Sequence, residues 1–323
     1  MALNNLITVC ITTYNRKNLL PLAIDSVLKQ TYTNFELIIV DDCSNDGTKE
    51  LVETKLLKLD KRIKYIRHNE NRGLSKARNT AIFNANGRYF TFVDDDDTWE
   101  HNFLSTFAEV AHNYNESYVF CASNISDTKD SPVLAIKALL VDLIVFGFTP
   151  PVASQFYFTD TLRNIGGYDE RVKSGVDHDL WLTLSLNNIK MLWLNKKLVN
   201  TNTIPSNNRI TYNIDKRINN IKNSMKIWER RIGDSFGKNF FSCFTRNYQY
   251  NTYKKFILFE IQKREYKNLF LYWQKLPKYL FFLDIKRYIF DRLGKQNLLR
   301  QATFFSCSES SLDIFSKIEV IRR

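Results

Sequence analysis

FELIIVDD (Phe35–Asp42) and RYFTFVDDDD (Arg88–Asp97) are near-continuous apolar runs that stop on aspartates. Apolar runs of this length with little polar alternation suit strands buried on both faces, as in a parallel sheet covered by helices. Working outward, Leu6–Thr12 reads as a strand before them, Ile63–Arg67 as a strand between them, and Arg88–Val93 as the strand that delivers the second acidic run. The intervening stretches have helical spacing. One starts near Asn18 and sets Leu19, Leu20, Ala23, Val27 and Leu28 on one face, with Pro21 in the first turn, where its missing N–H does no harm. Asp46, Gly47 and Thr48 supply a turn and cap ahead of Leu51, Val52 and Leu56, and Ser75–Asn84 reads as a further helix. Strands alternating with helices predict an α/β domain.

The chain has 323 residues, 44% of them hydrophobic, enough for one large core and a smaller second unit, which excludes disorder as the overall state. Its formal net charge of +12 points at first to a polyanion binder. The distribution narrows that reading. Residues 1–200 hold 22 basic and 24 acidic side chains, whereas the last 123 residues hold 24 and 10. The texture changes near residue 200 to Asn, Lys, Arg and aromatics. Ile218, Ile221, Met225, Trp228 and Ile232 then recur at steps of three or four, with Lys216, Lys222, Lys226 and Arg230 off that stripe, which predicts an amphipathic helix. Tyr253–Leu276 and Tyr279–Leu293 read as two more. The expected organisation is a domain over 1–205 and a basic, aromatic-rich helical region over 206–323.

Several classes lose support. Five scattered cysteines with no close pair argue against a disulfide framework or a zinc set, and fit a reducing cytosol. The N-terminal residues lack the pattern of a secretory signal, so export is not expected. Val133–Ala153 is apolar but carries Lys137 and Asp142, and each mid-bilayer charge costs roughly 2.5–3.5 kcal/mol; the expectation there is a buried helix and loop. Neither G-x-G-x-x-G nor G-x-x-x-x-G-K-[ST] occurs, and no G-x-S-x-G elbow suggests a hydrolase.

What remains is carboxylate chemistry at strand ends, where open α/β sheets bind their ligands. Asp41 and Asp42 end one strand, Asp94–Asp97 end another, and Asp177 and Asp179 sit in GVDHDLW. Four consecutive aspartates repel one another unless a cation neutralises them. Hard oxygen ligands that leave most of a coordination sphere open suit Mg2+ or Mn2+ bound together with a phosphate-bearing substrate.

TTYNR (Thr12–Arg16), FELIIVDDCSNDGT (Phe35–Thr48), NRGLSKARN (Asn71–Asn79), YFTFVDDDDTW (Tyr89–Trp99), GGYDE (Gly166–Glu170) and VDHDLWL (Val176–Leu182), in this order, resemble the motif series of the family 2 glycosyltransferases over about residues 5–200. The resemblance implies the GT-A nucleotide-diphospho-sugar transferase fold, a Rossmann-like mixed sheet with helices on both faces. It also implies a UDP-sugar donor, a Mn2+ or Mg2+ cofactor and a glycan acceptor, lipid-linked in the relatives that build bacterial surface polysaccharides. By the same resemblance Thr12 and Tyr14 hold a uracil-like base, Asp42 accepts from its N3–H, and Arg16, Arg78, Asp94 and Asp95 serve the nucleotide, with Lys76 a further charge near the diphosphate. Asp96 is the metal ligand, with Asp95 or Asp97 as alternatives, and Asp177 the general base. Val176 stands where the family usually has Glu, and Asp179, about 200 degrees further round a helix, is the competing base.

Trp181 is expected in the core rather than as a sugar-stacking platform, and Gln155 as a plain loop amide, with contact to an acceptor as the alternative. The tail is expected to pack and to meet an anionic membrane, placing the enzyme peripherally on the cytoplasmic face of the bacterial inner membrane; nucleic acid is not an expected partner. Two rivals stand beside this reading: a catalytically silent domain acting as scaffold for its basic tail, and a nucleotidyltransferase, for which no triphosphate loop is visible.

Overall fold

The apolar runs become strands. The computed structural model describes residues 5–122, 134–139, 151–194, 196–201, 214–236 and 319–322. In chain order β1 (Ile7–Thr13), α1 (Leu20–Leu28), β2 (Phe35–Asp41), α2 (Thr48–Thr54), β3 (Ile63–Arg67), α3 (Leu74–Asn84) and β4 (Tyr89–Phe92) form the alternating part. The short β5 (Thr98–Trp99), then α4 (Phe103–Ala111), β6 (Tyr118–Ala122), β7 (Leu134–Leu139), β8 (Gln155–Phe158), α5 (Thr159–Asn164), α6 (Val176–Leu186), β9 (Lys190–Leu194) and β10 (Val199–Asn200) follow. The last two described elements are α7 (Ile214–Phe236) and β11 (Glu319–Arg322).

Among the described residues one sheet has the order β11-β7-β9-β6-β8-β4-β1-β2-β3. β4, β1, β2 and β3 are parallel; β8 runs antiparallel between β4 and β6 and makes the sheet mixed. Every residue of β2 is buried, as an apolar run covered on both faces requires, whereas the edge strand β3 buries only Ile63. Helix α1 buries Leu20, Ala23, Ile24 and Val27. At Gly87 the chains pass so closely that a Cβ would lie 2.6 Å from Thr8 N and 2.7 Å from Leu6 O.

The strand order places the site. From β1 the chain steps outward through β2 to β3, then returns to put β4 on the other side of β1. That reversal is a topological switch point, and the crevice beyond the carboxyl ends of β1 and β4 is where such sheets bind ligands.

Two expectations fail here. Leu134–Leu139, expected in a helix, is a strand paired with β9 and β11, because pairing on both edges outweighs the modest helix preference of Leu, Ala and Lys. Gln155 lies in β8, not in a loop. The C-terminal stretch also returns a strand, β11, to the sheet. The described elements fall in two units, the sheet and its helices in the first and α7 in the second. In α7 the buried residues Ile221, Ser224 and Trp228 recur at steps of three and four, with Lys222, Lys226 and Arg230 exposed. The helices expected over 253–276 and 279–293 lie outside the described residues. Among the described residues no helix is long and apolar enough to cross a membrane.

Candidate active site

Side chains from the ends of β1 and β4 are stitched together across the switch point. Thr13 Oγ1 donates to Asp95 Oδ2 at 2.7 Å, and Arg16 Nη1 donates to Asp95 Oδ1 at 2.6 Å while lying 3.3 Å from Asp96 Oδ2. The aspartate run itself turns, closed by the Asp97 N–H on the Asp94 carbonyl at 3.0 Å. The turn sorts the four carboxylates. Asp95 and Asp97 are buried, at 3% and 6% exposure; the Asp94 side chain is 37% exposed and that of Asp96, against Arg16, 10%. Burial pushes the Asp95 carboxyl up to about 6, against the pull of Arg16 and Thr13.

The aspartates after β2 are used differently. Asp41 accepts from Ser44 N at 2.8 Å and from Tyr65 OH at 2.7 Å, with Arg67 Nε at 3.4 Å. Asp42 shares Oδ1 between His68 Nδ1 (2.7 Å) and Arg72 N (2.8 Å), and its Oδ2 accepts from Gly73 N at 2.7 Å. Gly73 has φ +88, a left-handed region that a side chain disfavours, and this bend aims its N–H at Asp42. Beside this anchored loop, Thr12 is the one half-exposed residue of β1, and Tyr14 is 47% exposed.

The third group converges from further along the chain. Asn79 on α3 donates from Nδ2 to Tyr168 O at 2.9 Å and accepts Tyr168 N–H on Oδ1 at 2.8 Å. Gly167, with φ +70, has no room for a side chain, since a Cβ would sit 2.4 Å from Asn79 Oδ1. The GGYDE turn is thereby fixed to α3. The residue before Asn79, Arg78, is buried, donates to Asp177 Oδ1, and reaches Asp94 Oδ1 at 3.2 Å. Its guanidinium lies 5.4 and 5.3 Å from the ring centroids of Phe92 and Tyr168. Burial works against that charge, yet the carboxylates, Asp177 foremost, raise the Arg78 pKa further, so it stays a cation. Asp94 is pushed up by burial and by its acidic neighbours Asp177 and Asp96, with Arg78 pulling the other way.

Asp177 lies in the first turn of α6 with its side chain 36% exposed, and Asp179, two residues on, is buried at 1%. Of the two, only Asp177 meets the cleft. Lys76, expected near a diphosphate, pairs instead with Glu170 at 3.0 Å. Trp181 is in the core, as its bulk suggests. Thr13, Asn79 and Tyr168, given no role by residue type, stand inside motifs already quoted, so position within the motif is a usable signal; His68, expected at the surface or behind the ligands, is buried against Asp42.

Among the described residues no three His, Cys, Asp or Glu side chains form a ready metal cluster. Asp94 and Asp96 offer hard oxygens at the mouth of the cleft, a set suited to an ion that shares its shell with substrate phosphates rather than to a cage made by protein alone.

Residues 8–141 match the family model described as glycosyl transferase family 2. This segment is a family 2 glycosyltransferase domain. It is 46% identical over 109 residues to the putative colanic acid biosynthesis glycosyl transferase WcaA of Escherichia coli (strain K12), a match covering 34% of this chain and 38% of that protein. An uncharacterized glycosyltransferase of Rickettsia felis is 35% identical over 194 residues, 56% of this chain and 30% of its own length. The chain thus spans well under half of each of these two relatives. The glycosyltransferase domain also resembles solved structures. S. aureus TarS 1-349 superposes with a TM-score of 0.60 over 84% of this chain and 81% of that one, at 20% identity, which shows a shared GT-A fold.

Proposed function

We propose that this chain moves a hexose or N-acetylhexosamine from a UDP-sugar to a hydroxyl of a glycan acceptor with inversion at the anomeric carbon. The observation that carries the reading is the meeting, at one switch point, of Asp94 with Asp177 through the buried Arg78, with Asp96 beside them on Arg16. The TarS fold relative has been solved with UDP and with UDP-GlcNAc, which supports a uridine diphosphate donor.

In this proposal Thr12 and Tyr14 hold the uracil ring, with a lone pair left on Asp42 Oδ2 for its N3–H. Arg16, fixed by Asp95, and Arg78, fixed by Asp94 and Asp177, supply positive charge along the diphosphate. Asp96, with Asp94 beside it, would hold Mn2+ or Mg2+, and the ion would neutralise charge on the departing nucleoside diphosphate. Asp177 takes the proton from the acceptor hydroxyl while that oxygen bonds to the anomeric carbon and the bond to UDP breaks; one such displacement inverts configuration.

The acceptor is proposed to be a lipid-linked glycan of surface-polysaccharide synthesis. Names among the relatives support this: WcaA is named a putative colanic acid biosynthesis glycosyl transferase, TuaG of Bacillus subtilis a putative teichuronic acid biosynthesis glycosyltransferase, and WfgD of Escherichia coli a glucosyltransferase acting on a GlcNAc-diphosphoundecaprenol. Residues 206–318 are proposed as a basic region that meets an anionic cytoplasmic leaflet, each Lys or Arg contributing about 1 kcal/mol.

The test is UDP release from a panel of UDP-sugars with and without Mn2+. The expected result is slow metal-dependent release in the wild type and loss in Asp177→Asn by about 100-fold or more, with UDP binding kept. Full activity in that variant removes the base assignment, and no release from any donor points to a silent scaffold.

A further inference from the structure

Gln155 is a buried amide in a strand whose neighbours are almost all apolar, and its three polar groups each have work. Its carbonyl oxygen Oε1 accepts from Trp181 Nε1 at 2.8 Å and from the Tyr157 hydroxyl. Its backbone carbonyl accepts from Thr91 Oγ1 at 2.7 Å. Its Nε2 points to the Pro151 carbonyl at 3.4 Å. Gln155, Tyr157 and Trp181 are all buried, at 1%, 0% and 2% exposure.

These contacts join two parts of the candidate site. Thr91 is in β4, three residues before the aspartate run, so the backbone of Gln155 is tied to the strand that delivers Asp94 and Asp96. Trp181 is four residues after Asp177 on α6, one turn along the same face. The first turn of α6 begins at Gly175, which has no side chain to cap it. Arg78 holds the Asp177 carboxylate itself, and the helix behind it is tied to β8 through Trp181. An apolar contact permits sliding, whereas one amide oxygen shared by two buried donors fixes a single register.

The geometry points to Gln155 as a positioning residue for transfer: through Trp181 and Thr91 it sets the base helix against the aspartate strand. This rests on the reading of Asp177 as the base. The bonds of Gln155 run to the base helix and the aspartate strand, so the loss should appear in turnover and not in donor affinity.

The experiment uses the full chain, Mn2+, and whichever of UDP-glucose and UDP-N-acetylglucosamine the wild type hydrolyses. Gln155→Met keeps the bulk and removes the acceptor; Trp181→Phe keeps a ring and removes the donor. Each is expected to lower kcat by about 10- to 100-fold, a fraction of what a catalytic base supplies, with KM and UDP affinity within about twofold. The double variant should be little worse than Gln155→Met alone, because that change already removes the acceptor for Trp181 Nε1. Gln155→Glu, which when protonated presents the same carbonyl oxygen, should recover turnover towards the acid side. Unchanged kcat in a folded Gln155→Met or Trp181→Phe overturns the proposal, as does UDP affinity falling in step with kcat. Should Gln155→Met fail to fold, Trp181→Phe decides by the same readouts. Asp177→Asn run alongside separates the failures: wild-type turnover there sinks the base reading, and loss there with an unchanged Gln155→Met sinks only this one.

Discussion

Two strands in this molecule end on aspartates, and the two ends are opposites. After β2, Asp41 and Asp42 turn inward and satisfy loop amides, a tyrosine and a histidine. After β4, the run divides, with Asp95 and Asp97 buried and Asp94 and Asp96 left at the cleft. By charge alone, the two ends look alike. What separates a carboxylate that holds the fold from one that can reach a ligand is whether its partners are the amides and side chains of its own loop, and how much solvent it keeps.

The largest expected effect tests the open end. Asp96→Ala should reduce Mn2+-dependent UDP binding by about 100-fold, the scale of a hard-oxygen ligand lost from a site with few others, and should shift the melting temperature by no more than about 2 °C. Titration calorimetry with UDP, with and without Mn2+, reads the first and thermal melting the second. A large loss of stability with metal-dependent binding intact would place Asp96 with the closed end.

The closed end should answer in the opposite way. Asp41→Ala strands the buried Ser44 N–H, at about 1–3 kcal/mol for an orphaned buried donor, and removes the acceptor of the half-buried Tyr65 hydroxyl, at less. A total near 3 kcal/mol is expected in urea unfolding, with any loss of UDP affinity following from the disturbed loop. Stability unchanged in this variant would mean that water reaches these groups and that the closed end is not closed.

Asp95 lies between the two kinds, buried yet inside the open run. Its folded carboxyl titrates at about 6, above the ordinary carboxylate value of 3.8. Between about pH 4 and pH 6 the folded chain therefore binds more protons than the unfolded one, and the contribution of this group to stability falls as pH rises through that window, by up to about 1.4 kcal/mol per unit. At neutral pH the buried charge remains a cost, offset in part by Arg16 and Thr13. Asp95→Asn removes the titration. The stability of wild type relative to that variant should be larger at pH 4.5 than at pH 7, measured by thermal melting at both. A difference that grows with pH would reverse the assignment and put the carboxyl below its ordinary value.

Much of this was legible in the residues. The β2 run, buried throughout, and the α3 segment read correctly because apolar pattern and local chemistry agreed with the final pairing. Leu134–Leu139 did not, because its partners are β9 and a strand near residue 320, and nothing local encodes a pairing that distant. The resemblance named the cleft aspartates as a set, but which of Asp94–Asp97 faces outward depends on one turn and on Arg16 arriving from β1. Gln155 was misplaced for the same reason. An amide after two prolines looks like a loop until a buried tryptophan and tyrosine are seen to need its oxygen.

The smallest expected effect comes from a carboxylate that belongs to neither end. Asp25 pairs with Lys29 at 2.6 Å on α1, one turn apart and far from the cleft, with side chains 55% and 71% exposed. The bond is as short as that between Arg16 and Asp95, so distance alone would rank the two together. Solvent exposure separates them: an exposed pair of this spacing contributes about 0.3–0.5 kcal/mol, because water screens both charges and two long side chains lose freedom to meet. Asp25→Asn should therefore lower the melting temperature by about 1–2 °C, and the difference should vanish in 1 M salt, where the screening length is about 3 Å. A loss above about 1.5 kcal/mol that persists in salt would mean that contact distance sets the strength of these carboxylates, and the distinction drawn between the two strand ends would lose its physical basis.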